Sequence, residues 1–357
     1  LGVSEEGGAR PLAPIVDFSS RGRWRGALVR MARGLGFPAA RARRACSAAA
    51  RAQDEFESRL RLAGQKALSE IGEDEVALVV VARPYNSADT TVSIDIPEKL
   101  SRLGARVIPM DFLDLPMERA PEVHRNMYWH YGQRILAAAL AIREDPRLNA
   151  VYLTNFGCGP DSFIQHVFEE VMGEKPYLTL EIDEHAADAG IITRCEAFLD
   201  SLRGRRSEGS SPYRDTLNAV ERPLVGRTLW IPLMSDATRM AAAAVRRRGV
   251  DARAIPPTCR DTVSAGREAT TGKECYPSII TSGNMLRILQ REDPDRTAFF
   301  MGTASGPCRF GQYCSFQRML LRRKGFRDVP VLTSSSSGSY GGVPGLSGPG
   351  FQLDLLR

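Results

Sequence analysis

"VALVVVARPYN", residues 76–86, decides the fold. An unbroken apolar run rich in valine and closed by Pro84 and Asn86 reads as a strand buried on both faces, the pattern of a parallel sheet. The chain then alternates. "DIPEKLSRLGA" reads as a helix, "RVIPM" as a strand, 127–143 as a long helix, "AVYLTNF" as a strand, 160–172 as a helix, "YLTLEI" as a strand and 186–202 as a helix. Short links between strands and helices imply right-handed crossovers and an open α/β sheet. A second block repeats the plan, with strands in "RTLWIPL", "DARAIP", "RTAFFM" and "VPVLTS" and helices over 237–248, 277–290 and 310–324.

The expected fold class is therefore α/β, with two flavodoxin-like, doubly wound parallel-sheet domains behind an N-terminal helical segment. The Arg- and Ala-rich residues 1–74 form that segment, 75–202 the first α/β domain, 203–225 a Ser-, Gly- and charge-rich linker, and 226–357 the second domain. Leu1 at the start and "GFQLDLLR" at the end, which reads as a helix left incomplete, suggest a piece of a longer protein.

Of the 357 residues, 43% are hydrophobic and 25% charged, enough apolar material for about two cores. The net charge of +6 has no aromatic-interleaved stripe beside it, so an anionic small ligand is a better partner than nucleic acid. No apolar run of about 18 residues and no signal segment appear, which points to the cytoplasm and away from a membrane. Cysteines in that compartment stay reduced unless a metal or a reaction uses them.

Ligands of open α/β sheets collect beyond the carboxyl ends of the strands. Cys158 follows a strand in "NFGCGPDSF", Cys308 follows another in "GTASGPCRF", and Cys275 stands in "GKECYPS" just ahead of a helix that Pro277 opens. Thiols at helix starts are biased toward thiolate and suit soft metals. Three of them could hold a [4Fe-4S] cluster and leave one iron without a protein thiolate, or they could be unlinked packing residues. Zinc lacks its usual Cys-x-x-Cys pair. Cys46 and Cys195 read as packing residues, Cys259 as a second-rank ligand, and Cys314 as pointing away from the Cys308 turn. Arg83 at a strand end could pair with an anion or a neighbouring acid, and "EIDEHAADAG" (181–190) reads as a solvated cap or a proton-handling cluster. The nucleotide and serine-hydrolase motifs G-x-x-x-x-G-K-[ST], G-x-G-x-x-G and G-x-S-x-G are absent.

Taken together, "ARPYNSADTTVSIDIPEKLSRLGARVIPMDFL", "MYWHYGQRIL", "VYLTNFGCGPDSF", "YLTLEIDEHAADAGIITRCEAFLDSL", "KECYPSIITSGNML" and "GPCRFGQYC" resemble the large proteins related to the activators and subunits of 2-hydroxyacyl-CoA dehydratases, a family that includes double-cubane-cluster reductases. The likeness runs over about 76–340. It implies a [4Fe-4S] or double-cubane [8Fe-9S] cluster on Cys158, Cys275 and Cys308. It also implies a separate ATP-hydrolysing activator with an actin-like fold, an acyl-CoA or small substrate, and assembly as a homodimer. On this view the chain is the electron-receiving part, in dehydratase-type or reductase chemistry. The competing reading is a non-catalytic α/β scaffold or regulatory module without a cluster.

Overall fold

The computed structural model describes residues 12–333, apart from 19, 156, 184, 186–187, 204–212 and 214–223. Most of the expected linker, the "SSSSGSYGG" loop, the final "GFQLDLLR" and Glu184 of the acidic stretch lie outside the described residues. By its contacts the chain divides into two units, Leu1–Ser69 and Glu70–Arg357.

The first unit pairs two helices, α1 (Arg21–Gly34) and α2 (Ala39–Ser69). Ser20 caps α1 by accepting a hydrogen bond from the Arg23 N–H, and the Arg21 guanidinium meets Asp54 of α2 at 2.7 Å. Alanine dominates α2, and the best helix former sustains 31 residues with little apolar periodicity.

The second unit holds both sheets. Along the chain it runs β1 (Ala77–Val81), α3 (Pro84–Ala88), α4 (Ile96–Arg102), β2 (Arg106–Pro109), α5 (Ala120–Val123), α6 (His130–Glu144), β3 (Leu148–Asn155), α7 (Asp161–Met172), β4 (Tyr177–Ile182) and α8 (Asp188–Leu202). After the linker come β5 (Thr228–Ile231), α9 (Ala237–Arg246), β6 (Ala252–Ala254), α10 (Arg260–Ala269), α11 (Tyr276–Leu289), β7 (Thr297–Phe300), α12 (Tyr313–Arg323) and β8 (Val331–Leu332). The strand orders are β2-β1-β3-β4 and β6-β5-β7-β8, and every pairing is parallel. These are two doubly wound α/β sheets of the flavodoxin-like order.

All five residues of β1 are inaccessible to solvent, as the valine run requires. One face packs Leu78, Val80, Leu153 and Leu180 against Ile191, Cys195 and Leu199 of α8. In each sheet the order reverses between the first and third strands, so the crevices that receive ligands open beyond β1 and β3 and beyond β5 and β7. No helix among the described residues is long and apolar enough to cross a membrane.

Helix α10 is not announced by the sequence. Its ten residues include Arg260, Asp261, Arg267 and Glu268, and its closest packing surface is a glycine. Gly266 of α10 and Gly283 of α11 let the two backbones meet. A Cβ on Gly283 would overlap the carbonyl oxygen of Thr262, and one on Gly266 that of Ile279. Gly283→Ala should therefore lower stability by about 1–3 kcal/mol, the usual range for overpacking. Denaturant unfolding with an unchanged midpoint would show that the helices can part at no cost.

Candidate functional site

The crevice beyond β1 and β3 is built around Asp161, the first residue of α7 and 1% exposed. Its Oδ1 accepts from Arg83 Nη2 at 2.9 Å and Nε at 3.2 Å, and its Oδ2 accepts from Thr154 Oγ1 at 2.7 Å. The carboxyl end of β1, the end of β3 and the start of α7 are thus tied to one carboxylate. Of the two readings of Arg83, the ion pair with a nearby acid is the one seen.

Cys158 lies in the turn between β3 and α7. Gly157 takes the left-handed conformation (φ +69°), the Cys158 N–H donates to the Asn155 carbonyl at 3.1 Å, and the Cys158 carbonyl accepts from Ser162 N–H at 3.1 Å. Its thiol does not behave as a helix start alone predicts. Burial and the Asp161 charge push it up, and the Asp161 N–H and Arg83 only partly oppose them.

Cys308 is exposed and opens a 3-10 turn (Arg309–Gln312) that leads into α12. A segment of the first α/β half, residues 124–129, grips this turn. Asn126 Nδ2 donates to Thr303 Oγ1 at 2.7 Å and to the Gly311 carbonyl at 2.8 Å, and Gln312 Nε2 returns a bond to the Asn126 carbonyl at 2.9 Å. Tyr128 Oη donates to the Cys308 carbonyl at 2.5 Å and Trp129 Nε1 to the Gly306 carbonyl at 3.2 Å. Burial pushes His124 down to about 4, so at neutral pH its uncharged Nδ1 accepts the Asn126 N–H at 3.1 Å. The sequence "MYWHYGQRIL" carries no motif that assigns these residues a task. Their signal is an unusual density of aromatic and amide side chains at the start of a helix.

Cys275 precedes α11, which Pro277 helps to open. Its Sγ lies 2.6 Å from Tyr313 Oη. The Tyr313 ring stacks on Phe163 of α7, with centroids 5.8 Å apart and planes at 18°, and meets Phe310 edge-on at 5.4 Å. Next to Cys275, Glu274 Oε1 shares a 2.5 Å hydrogen bond with His166 of α7 and accepts from Thr271 Oγ1 at 3.1 Å. Burial works against ionisation of Glu274, but the His166 bond, its own N–H and the Thr271 N–H hold its carboxyl below the usual range.

The three cysteine turns meet at one junction. Arg309, next to Cys308, donates to Ser162 Oγ at 3.2 Å, and a Cβ on Gly159 would stand 3.6 Å from the same arginine. Tyr313, whose hydroxyl meets the Cys275 sulfur, opens the helix into which the Cys308 turn leads. Among the described residues, no three His, Cys, Asp or Glu side chains come close enough together to hold a single metal ion. Cys46, Cys195 and Cys314 are buried, and Cys314 Sγ faces the Val331 carbonyl, away from the turn. From the acidic stretch, Glu181 pairs with Lys273 at 2.8 Å.

Residues 3–113 match the model of a family described as the CoA enzyme activase uncharacterised domain. The match takes in β1, β2 and Arg83 and stops before Cys158, Cys275 and Cys308. No curated protein matches the chain. Among solved structures, a C2-type ketoreductase from a modular polyketide synthase aligns over 78% of this chain and 84% of its own, with 12% identity and a TM-score of 0.28.

Cys259 is the exception among the thiols. It caps α10, accepts from the Thr262 N–H and hydroxyl and the Asp261 N–H, and has the Arg287 guanidinium against its sulfur. These donors, led by the Thr262 N–H, lower its pKa, and the group is exposed. A lower value means more thiolate at neutral pH, and thiolate is the reactive form. In the protein without added metal, iodoacetamide at pH 7.5 should alkylate Cys259 before Cys158, as followed by peptide mass spectrometry. Equal rates would mean that the cap does not act on the sulfur.

Proposed function

We propose that the chain holds an iron-sulfur cluster, a [4Fe-4S] or a double-cubane [8Fe-9S], on Cys158, Cys275 and Cys308. Its role is then the electron-receiving part in ATP-driven, low-potential electron transfer to an acyl-CoA or a small substrate. The observation that carries this reading is the shared junction, where Tyr313 touches the Cys275 sulfur, opens the helix into which the Cys308 turn leads, and stacks on the helix that follows Cys158. Three soft donors from three separate turns suit a group that takes one thiolate per iron better than a single ion, whose ligand sulfurs would crowd at about 2.3 Å from one centre. The CoA enzyme activase match of residues 3–113 agrees with an activator-dependent system. The expected partner is a separate ATP-hydrolysing activator with an actin-like fold.

When bound, the cluster would supply one-electron chemistry at low potential. The protein's own residues do the rest. Arg83 and Thr154 fix Asp161 and with it the start of the helix after Cys158, residues 126–129 fix the Cys308 turn, and Phe163, Phe310 and Phe316 form a ring cluster with Tyr313 between the turns. Cys308, the exposed member of the set, is the one an electron donor would reach most directly.

Anaerobic reconstitution with iron and sulfide should give a brown protein with about four irons per [4Fe-4S] site and roughly double for the larger cluster. Cys158→Ser, Cys275→Ser and Cys308→Ser should each lose most of the iron while the far-ultraviolet circular dichroism is kept. A folded, colourless wild-type protein, or iron content indifferent to all three substitutions, would leave the scaffold reading in its place.

A further inference from the structure

Tyr313 begins α12, is 4% exposed, and turns its hydroxyl onto a cysteine sulfur at 2.6 Å. Its ring has no freedom to leave, because Phe163 stacks on one side and the Phe310 edge closes another. A hydroxyl in such a place costs free energy unless it has a partner, and phenylalanine would fill the same volume without that cost. The hydroxyl is therefore placed for the sulfur. The two groups could exchange roles while the thiol keeps its proton, but a metal-bound thiolate has none and can only accept.

We propose that Tyr313 is a positioning residue that donates a hydrogen bond to the Cys275 sulfur, fixes that ligand's orientation and raises the reduction potential of the cluster. The inference rests on the reading given under Proposed function. A hydrogen bond to a ligating sulfur withdraws negative charge and stabilises the more negative, reduced state, and such bonds are among the protein's means of setting a cluster's potential. A purely structural tyrosine would leave the potential where it is.

The test uses the full chain reconstituted anaerobically, with the midpoint potential followed by electron paramagnetic resonance in a dye-mediated titration. Tyr313→Phe should keep its iron and titrate at a more negative potential, and the reduced spectrum should lose an exchangeable proton coupling seen in the wild type. Incorporation of 3-fluorotyrosine at position 313 keeps the ring and hydroxyl but makes a stronger donor, so it should move the potential the other way. If Tyr313→Phe does not fold or load, the fluorinated protein decides the matter. A wild-type chain that takes up no iron overturns this inference and the proposed function together. A loaded wild type whose potential neither variant moves overturns only the role of Tyr313.

Discussion

Phe163 stands between Tyr313 and Phe316, and this aromatic contact joins the two α/β sheets at the place where the cysteine turns meet. Everything else at the junction is arranged along the same helix. From its N-terminus onward, α7 offers Asp161 to Arg83, Ser162 to Arg309, Phe163 to the rings of α12, and His166 to Glu274. One turn further, Glu169 and Glu170 meet Arg323 and Arg322. The contacts are unequal in strength. Aromatic pairs add about 0.5–1.5 kcal/mol each beyond the area they bury, whereas an exposed ion pair such as Glu169–Arg323 adds about 0–1 kcal/mol. The rings and the buried His166–Glu274 pair hold the sheets together, and the outer charges trim their orientation.

A buried ion pair such as Arg83–Asp161 is weak evidence for stability, because desolvating both charges offsets most of their attraction. Its geometric effect is larger. With Thr154 added, Asp161 has partners on both carboxylate oxygens, and the helix start that follows Cys158 is tied to the ends of β1 and β3. The same carboxylate explains why Cys158 and Cys259 differ although both stand near helix starts. Cys259 has an arginine and three donors beside an exposed sulfur, while Cys158 has a carboxylate beside a half-buried one. A helix terminus contributes about 0.3–1 kcal/mol, less than burial and a neighbouring charge can impose. A metal would have to displace the Cys158 proton against that bias, which a strong soft-metal bond can do.

The sheets were legible because burial on both faces writes itself as uninterrupted apolar residues, in "ALVVV" of β1 and again in β3. The turns at Cys158, Cys275 and Cys308 were legible for a related reason, since Gly157, Pro160 and Pro277 punctuate strand ends and helix starts. What sequence could not give was pairing across distance. Arg83 meets Asp161 78 positions away, and Asn126 meets Thr303 across 177. Nor could it give α10, whose packing against α11 depends on Gly266 and Gly283 lacking side chains rather than on any apolar stripe. The lowered thiol expected at Cys158 failed on the same ground, because the deciding carboxylate is visible only once the turn is folded.

Arg83 also connects the part of the chain with a family match to the part that carries the cysteines. It lies inside residues 3–113, at the carboxyl end of β1, and its partner Asp161 lies outside them, three residues after Cys158. The strand order makes this meeting unavoidable. With β1 and β3 adjacent and parallel, the residue that follows β1 and the residue that opens the helix after β3 reach the same crevice. The matched stretch therefore reaches the candidate site through Arg83, and it contributes the cation that pairs with the buried carboxylate three residues after Cys158.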